Sequence, residues 1–155
     1  MLTARRLSQT LGVIEANMAS ALVIAGGSIF VLMGLVHGLV SLADVFRPSQ
    51  FAPADDSVRV AMKSTTVRFL KARANVWDAW LGFNISHGLG MLIFGTAAVY
   101  LGASLEHMAV AQSALLIPAT IAATYFLLSM RFWFWLPATS SAVAVICFMA
   151  AWWSA

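Results

Sequence analysis

The sequence predicts an all-α membrane protein: an up-down bundle of four transmembrane helices with an amphipathic helix at the N-terminus. Of its 155 residues, 61% are hydrophobic and only 10% are charged, whereas soluble domains are typically about 45–50% apolar and about 25% charged. Charged residues are also missing from four long runs: 19–43, 79–104, 108–130 and 132–155. Each run reaches the roughly 20 residues that cross about 30 Å of hydrocarbon.

These runs are predicted to be helices because backbone groups in lipid must form their hydrogen bonds within the segment. The period-two alternation of a transmembrane β-barrel is not present in them. The sequence therefore predicts one integral membrane domain over residues 1–155, with the lipid bilayer as its surroundings. Its spans are expected at about 19–42, 77–101, 108–130 and 133–153, with a polar first loop at 44–76.

The N-terminal segment, 1–18, is predicted to be an amphipathic helix on the membrane surface. Arg5 and Arg6 resemble the start of a signal peptide, but Glu15 and other polar residues interrupt the apolar run that should follow. Apolar residues instead recur at helical spacing: Leu7, Leu11, Ile14 and Met18.

The first span and the first loop carry few but specific signals. Gly34 and Gly38 have the GxxxG spacing that lets helices approach closely, and His37 lies between them. Asp44 follows seven residues after His37, on the same helix face. Pro48 and Pro53 predict irregular structure in the loop, after which helical spacing resumes over 57–74.

The second span is the most polar of the four, since its segment WDAWLGFNISHGLGMLIFG carries Asp78, Asn84, Ser86 and His87 in its first turns. One predicted face is a stripe of small residues suited to helix packing, Gly82, Ser86 and Gly90. A second stripe brings polar and aromatic residues to one side: Trp80, Asn84, His87 and Met91.

The last two spans are joined by a tight turn at Arg131. Pro118 is expected to kink the third span in its middle, and Pro137 suits the first turn of the fourth. The excess of Lys and Arg places the first loop in the cytoplasm, with Arg47, Arg59, Lys63, Arg68, Lys71, Arg73 and Arg131 on one side against Arg5 and Arg6 on the other.

The intramembrane polar residues predict a ligand site in the cytoplasmic half of the bundle. At about 1.5 Å per residue, His37, Asn84, His87 and Tyr125 share one half of the bilayer. Asp78 and Arg131 are expected near the mouth of the site, and Trp80 is a further candidate because it shares a helix face with Asn84 and His87. Neutral imidazole and amide groups both donate and accept hydrogen bonds, which suits an apolar ligand with a polar head. The candidates are a quinone, a lipid or haem b held by the two histidines. No metal site is predicted because HxxH and HxxxH spacings do not occur.

Other interpretations remain open. The polar residues can simply bond between helices, in which case the protein is a structural or accessory subunit of a larger membrane complex or a homo-oligomer. An enzyme with His87 as acid or base is a further hypothesis, although no nucleophile, metal or cofactor motif accompanies it. The net charge is only +3 and the basic residues lie beside the spans, so no nucleic-acid partner is expected. The single cysteine, Cys147, excludes an intrachain disulfide.

The segment WDAWLGFNISHGLG resembles a group of uncharacterised small bacterial four-helix membrane proteins whose second span opens with a W-x-G-F-N-x-S-H motif. The matching residues are Trp80, Gly82, Phe83, Asn84, Ser86 and His87. The resemblance implies a multi-pass protein of the bacterial inner membrane in which Asn84 and His87 do more than pack, and it implies no particular activity. A looser similarity to four-helix b-type cytochromes is limited by the presence of only two intramembrane histidines.

Overall fold

The computed structural model describes residues 2–68, 73–105 and 111–155, and from residue 14 onward it describes the side chains in these ranges as well. Five α-helices make up most of this part of the chain: α1 (Leu2–Phe46), α2 (Asp56–Ser64), α3 (Val76–Ser104), α4 (Leu116–Phe132) and α5 (Trp135–Ser154). A short 3₁₀ turn, Gln112–Leu115, leads into α4. The predicted all-α fold is confirmed.

Four of the helical segments are long and apolar enough to cross a membrane, which is the architecture of a multi-pass membrane protein. They cover Ile14–Phe46, Val76–Ser104, Gln112–Phe132 and Trp135–Ser154. The four predicted spans agree with these segments to within a few residues at most of their ends. The predicted start of the third span, at residue 108, lies outside the described residues.

The first helix is longer than predicted because the N-terminal segment and the first span are one continuous helix, Leu2–Phe46. Helical structure over 1–18 is therefore confirmed for residues 2–18, without a break before the span. Such continuity is expected where neither Gly nor Pro interrupts the junction, and residues 13–25 contain neither.

The chain forms two compact units, and the first comprises Met1–Val31 together with Ile93–Ala155. In this unit α4 and α5 are antiparallel, and the Gln112 amide before α4 donates to the Trp152 carbonyl near the end of α5 at 2.7 Å. Buried aromatic rings fill the centre. Phe30 packs edge-on against Phe94 at 4.7 Å, and Phe94 meets Phe148 at 6.2 Å.

Glycines bring α1 and α3 into backbone contact within this first unit. A Cβ on Gly95 would lie 2.5 Å from the Val31 nitrogen, and one on Gly27 would lie 2.9 Å from the Gly95 oxygen. The Ser20 hydroxyl donates to the Gly102 carbonyl at 2.7 Å. Earlier residues of α1 thus meet later residues of α3, so these helix segments are antiparallel.

The second unit, Leu32–Leu92, contains the end of α1, the first loop, α2 and the start of α3. A Cβ on Gly34 would collide with the Leu92 backbone, and one on Gly88 would lie 2.8 Å from the Gly38 backbone. The predicted close approach at Gly34 and Gly38 is therefore present. The predicted small stripe of Gly82, Ser86 and Gly90 does not pack against α1, because these three residues are exposed. The packing face uses Gly88 instead.

Two further predictions are corrected by the structure. The helix expected over 57–74 ends at Ser64, after which Val67 N–H donates to the Ala74 carbonyl at 3.0 Å and Val76 N–H to the Thr65 carbonyl at 2.9 Å. The consecutive β-branched residues 65–67 favour this extended pairing over helix. Pro118 causes no mid-helix kink, since it lies in the first turn of α4, where its missing N–H leaves no helical hydrogen bond unmade.

Candidate functional site

Two histidines meet in the second unit, one from each membrane-spanning helix segment. The His37 and His87 rings are 5.2 Å apart between centroids and lie nearly perpendicular, with an angle of 76° between planes. Each histidine immediately precedes a glycine of the helix contact, Gly38 on α1 and Gly88 on α3. The glycines allow the helices to approach, and this approach brings the two imidazoles together.

Aromatic rings flank the histidine pair on both sides. The Phe51 ring, which comes from the first loop, lies 4.7 Å from the His37 ring. The Phe83 ring, one turn before His87 on α3, stacks on it at 5.8 Å with planes only 12° apart. Phe83 is 57% exposed and both histidines are half-buried, so the pair is accessible from the side on which Phe83 lies.

Asn84 lies on the same face of α3 and is fully buried. Its amide Nδ2 donates to the Trp80 carbonyl at 2.9 Å, and its side chain also interacts with the His37 imidazole. The Asn84 Oδ1 and His37 Nε2 atoms are both shielded from solvent. The predicted trio of His37, Asn84 and His87 is thus brought together by the fold.

Trp80 attaches the first loop to α3. Its indole Nε1–H donates to the Phe51 carbonyl at 2.9 Å, while the Phe51 ring contacts His37. The predicted site residue Trp80 is therefore connected to the histidine pair through Phe51, which it holds by a hydrogen bond and which contacts His37.

Asp44 is the residue whose part in this arrangement the sequence did not indicate. Its buried carboxylate accepts hydrogen bonds from Ser49 N–H at 2.9 Å, Ser49 Oγ–H at 3.2 Å, Gln50 N–H at 3.2 Å and Phe51 N–H at 2.6 Å. The available signal was an Asp near a helix end followed by Pro48 and Ser49, a composition typical of side-chain-stabilised turns. Asp44 thereby fixes the loop that carries Phe51.

Asp78, a predicted site residue, is exposed and takes part in capping α3. The Asn75 side chain accepts from the Asp78 N–H at 2.8 Å and donates its Nδ2–H to the Asp78 carboxylate at 2.8 Å. The Asn75 side chain thus satisfies one backbone donor in the first turn of the helix, the Asp78 N–H. An acidic group in the first turn also interacts favourably with the helix dipole.

Tyr125, the remaining predicted site residue, belongs to the first compact unit. Its ring packs edge-on against Phe30 at 5.2 Å, as part of the aromatic core there. Arg131, expected near the mouth of the site, is exposed, and its guanidinium lies 5.1 Å from the centre of the Phe132 ring.

The chemistry available at the histidine pair is hydrogen bonding combined with aromatic contact. Imidazole nitrogens donate and accept, and Phe51 and Phe83 supply flat apolar surfaces. Among the described residues no group of three His, Cys, Asp or Glu side chains is arranged to hold a metal ion. The two imidazoles can therefore exchange hydrogen bonds with a polar group that lies beside these rings.

Comparisons of the chain with protein-family models, with curated proteins and with solved structures find no match. The geometry of the site itself is what bears on function.

Proposed function

We propose that this chain is a small polytopic protein of the bacterial inner membrane that binds an apolar ligand with a polar head, a quinone or a lipid. His37 and His87 form hydrogen bonds to the head, Asn84 holds His37 in position, and Phe83 lies against the apolar body. The observation that carries the proposal is the contact between two imidazoles from different spans, 5.2 Å apart. Ionisable residues within spans are costly in lipid and commonly functional.

The same geometry favours a quinone or lipid over haem. Two axial histidines approach one iron from opposite faces of the macrocycle, so the macrocycle must fit between their helices. Here the rings contact each other directly, and a Cβ on Gly88 would already lie 2.8 Å from the Gly38 backbone. A ligand that approaches from the Phe83 side does not require the helices to separate.

Native mass spectrometry of protein released from its own membranes in mild detergent tests the proposal. Wild-type protein is expected to retain a small-molecule adduct whose fragment masses separate quinone from lipid. His87→Ala is expected to weaken binding about fivefold, from the loss of a hydrogen bond worth roughly 1 kcal/mol, and so to lower adduct occupancy.

Ser86→Ala is the matched control, because Ser86 is exposed and its hydroxyl donates to the Phe83 carbonyl of its own helix at 2.9 Å. The adduct should persist in this variant. Equal adduct in wild type and in both His37→Ala and His87→Ala would contradict the assignment of the site.

A second candidate function, an accessory subunit of a larger membrane complex, is favoured by the open stripe of Gly82, Ser86 and Gly90. A Cβ at Gly82 or Gly90 would meet nothing within 4 Å, and small stripes are typical of contacts between membrane helices. Gly82→Leu and Gly90→Leu should leave the isolated fold intact and abolish assembly with the partner. Unchanged assembly after both substitutions would remove this candidate.

The proposed orientation places the first loop in the cytoplasm, because Lys and Arg are concentrated there. A cysteine introduced at Ala54, which is exposed in the loop, tests it in a Cys147→Ala background. A membrane-impermeant maleimide should label this cysteine only after the cells are opened. Labelling of intact spheroplasts would show that the first loop lies on the outer side of the membrane.

A further inference from the structure

The first loop contains a short helix whose apolar face is uncovered within its own unit. No residue of α2 is buried. Val58, Ala61 and Met62 lie on one face, since they are three and four residues apart. Val58 is 47% exposed. Val60, at 63% exposed, lies on the nearly opposite face, because two residues turn a helix by about 200°. The helix is thus amphipathic, with an apolar face that lacks cover among the described residues of the second unit.

The C-terminal end of α2 is bonded to the start of α3, and its N-terminal end is close in sequence to a residue that α3 holds. The residue after α2, Thr65, accepts a hydrogen bond from the N–H of Val76, the first residue of α3, at 2.9 Å. On the other side, Phe51 is held by Trp80 in the first turns of α3. Asp56 lies five positions after Phe51, a reach of at most roughly 17 Å when fully extended. The helix therefore lies near the level at which α1 ends and α3 begins, where a bilayer surface would be.

Basic side chains accompany the C-terminal end of this helix. Lys63, Arg68 and Arg73 are all exposed, and the last two flank the pairing of Val67 with Ala74. Arg59 differs from them because its guanidinium pairs with Asp56 at 2.7 Å. Three exposed positive charges therefore lie at the end of α2 that is bonded to α3.

We propose that α2 and the paired segments 65–67 and 74–76 form a docking surface for anionic lipid headgroups. Val58, Ala61 and Met62 enter the boundary between headgroups and acyl chains, and Lys63, Arg68 and Arg73 bind the lipid phosphates. An uncovered apolar face bordered by Lys and Arg is the pattern of helices that lie in the membrane interface. Each such basic residue attracts an anionic surface by about 1 kcal/mol. This surface is separate from the histidine pair and does not depend on its proposed ligand.

Depth-dependent fluorescence tests the insertion of α2. In a Cys147→Ala background, Val58→Cys and Val60→Cys are each labelled with an environment-sensitive fluorophore. The full chain is then placed in nanodiscs of phosphatidylcholine, with or without phosphatidylglycerol. Both positions are exposed, so both variants should fold.

The label at position 58 is expected to be quenched by brominated acyl chains, and more strongly when phosphatidylglycerol is present, while the label at position 60 stays in water. Equal quenching at the two positions, or none at position 58, would overturn the proposal.

The charge requirement is tested by the triple variant Lys63→Gln, Arg68→Gln and Arg73→Gln. The measured quantity is the ratio of the affinities of the protein for phosphatidylglycerol and phosphatidylcholine. This ratio should fall by about fivefold for each charge removed, and the wild-type ratio should fall in high salt. Arg131→Gln is the control, since Arg131 is an exposed basic residue of the other unit, and it should not change the preference. A triple variant with wild-type lipid preference would show that this surface does not select anionic lipid.

Discussion

The carboxylate of Asp44 accepts a 2.6 Å hydrogen bond from the backbone N–H of Phe51. Asp44 lies two residues before the end of α1, where the helix dipole disfavours a negative charge. Backbone N–H groups of residues 49–51 compensate for this, since they supply positive ends of dipoles to the same carboxylate. A polar cluster at the helix end thus determines where the Phe51 ring lies against His37.

Asp44→Asn is expected to loosen the first loop and destabilise the protein. The amide retains one acceptor oxygen, so part of the set of N–H donors from residues 49–51 loses its partner. A buried donor left without a partner costs about 1–3 kcal/mol. Hydrogen exchange of the Phe51 amide should become about tenfold faster, and the free energy of unfolding should fall by ~2 kcal/mol.

Asp56→Asn is the matched control for this prediction. Asp56 is exposed and pairs with Arg59 on the surface of α2, and such pairs contribute little to stability. Exchange of the Phe51 amide should therefore match that of wild type. If Asp44→Asn leaves the exchange of residues 49–51 unchanged, the carboxylate does not hold the loop.

Trp80→Phe should weaken the same loop from the other side. The ring is largely kept, but the hydrogen bond to the Phe51 carbonyl is lost, at a cost of about 1 kcal/mol. Because Trp80 and Asp44 both hold Phe51, their effects should be non-additive by at least about 0.5 kcal/mol in a double-mutant cycle. Purely additive losses would mean that the two contacts act independently.

The spans were predictable because their signal is local and strong. A charge-free run of the required length has few alternatives to a membrane helix. The predicted spans differ from the observed helices mainly at their ends, where α1 extends back to Leu2 and α3 extends to Ser104.

The rotation of each helix about its axis was not predictable in the same way. Gly82, Ser86 and Gly90 form a regular small stripe, and so do Gly88, Gly95 and Gly102 at a spacing of seven. The sequence does not say which stripe meets α1, and the structure uses the second one. His37, Asn84 and His87 were nevertheless grouped correctly, because each lies next to a glycine or on the face beside it.

The part played by Asp44 was hidden for a different reason. Most of its hydrogen-bond donors are backbone groups of residues 49–51, which every residue type except proline supplies, so the sequence indicated a turn after Asp44 but not the partners of its carboxylate. The extended pairing of residues 65–67 with 74–76 was missed because apolar spacing favoured helix there, whereas the β-branched run decided the outcome.

Asp78→Ala should lower stability without changing the ligand content of the purified protein. Its carboxylate accepts a hydrogen bond from the Asn75 side chain and lies in the first turn of α3, and loss of a negative charge there costs about 0.3–1 kcal/mol. Asn75→Ala, which removes the other half of the pair, should cost a similar amount. Denaturation curves and the mass of any bound adduct check this together. If Asp78→Ala lowers the amount of bound adduct and Asn75→Ala does not, Asp78 is part of the binding site.

Acidification should weaken the start of α2. The Ser57 side chain and backbone N–H bond to the exposed Asp55 carboxylate and hold its pKa below its ordinary value. Because the pKa is lower in the folded state than in the unfolded chain, the cap stabilises the helix above the unfolded pKa. This stabilisation is lost as the pH falls through the lower, folded value, below about pH 4.

The exchange rate of the Ser57 amide, followed from pH 6 to pH 3 and corrected for intrinsic exchange, measures the effect. Asp55→Asn is the control, because Asn caps nearly as well and does not titrate in this range. Identical pH profiles for wild type and Asp55→Asn would show that another group controls the start of α2.

Gly88→Ala and Gly82→Ala should have opposite effects although both add one methyl group to α3. At Gly88 the new Cβ would lie 2.8 Å from the Gly38 backbone, so α1 and α3 must separate, at a cost of about 1–3 kcal/mol. At Gly82 nothing lies within 4 Å, and replacing a helical glycine is neutral or stabilises by up to about 1 kcal/mol. Unfolding of each isolated variant in detergent measures the difference.

Because His37 and His87 adjoin this contact, Gly88→Ala should also reduce ligand occupancy, and Gly82→Ala should leave it unchanged. Equal stability of the two variants would show that the helices do not meet at Gly88.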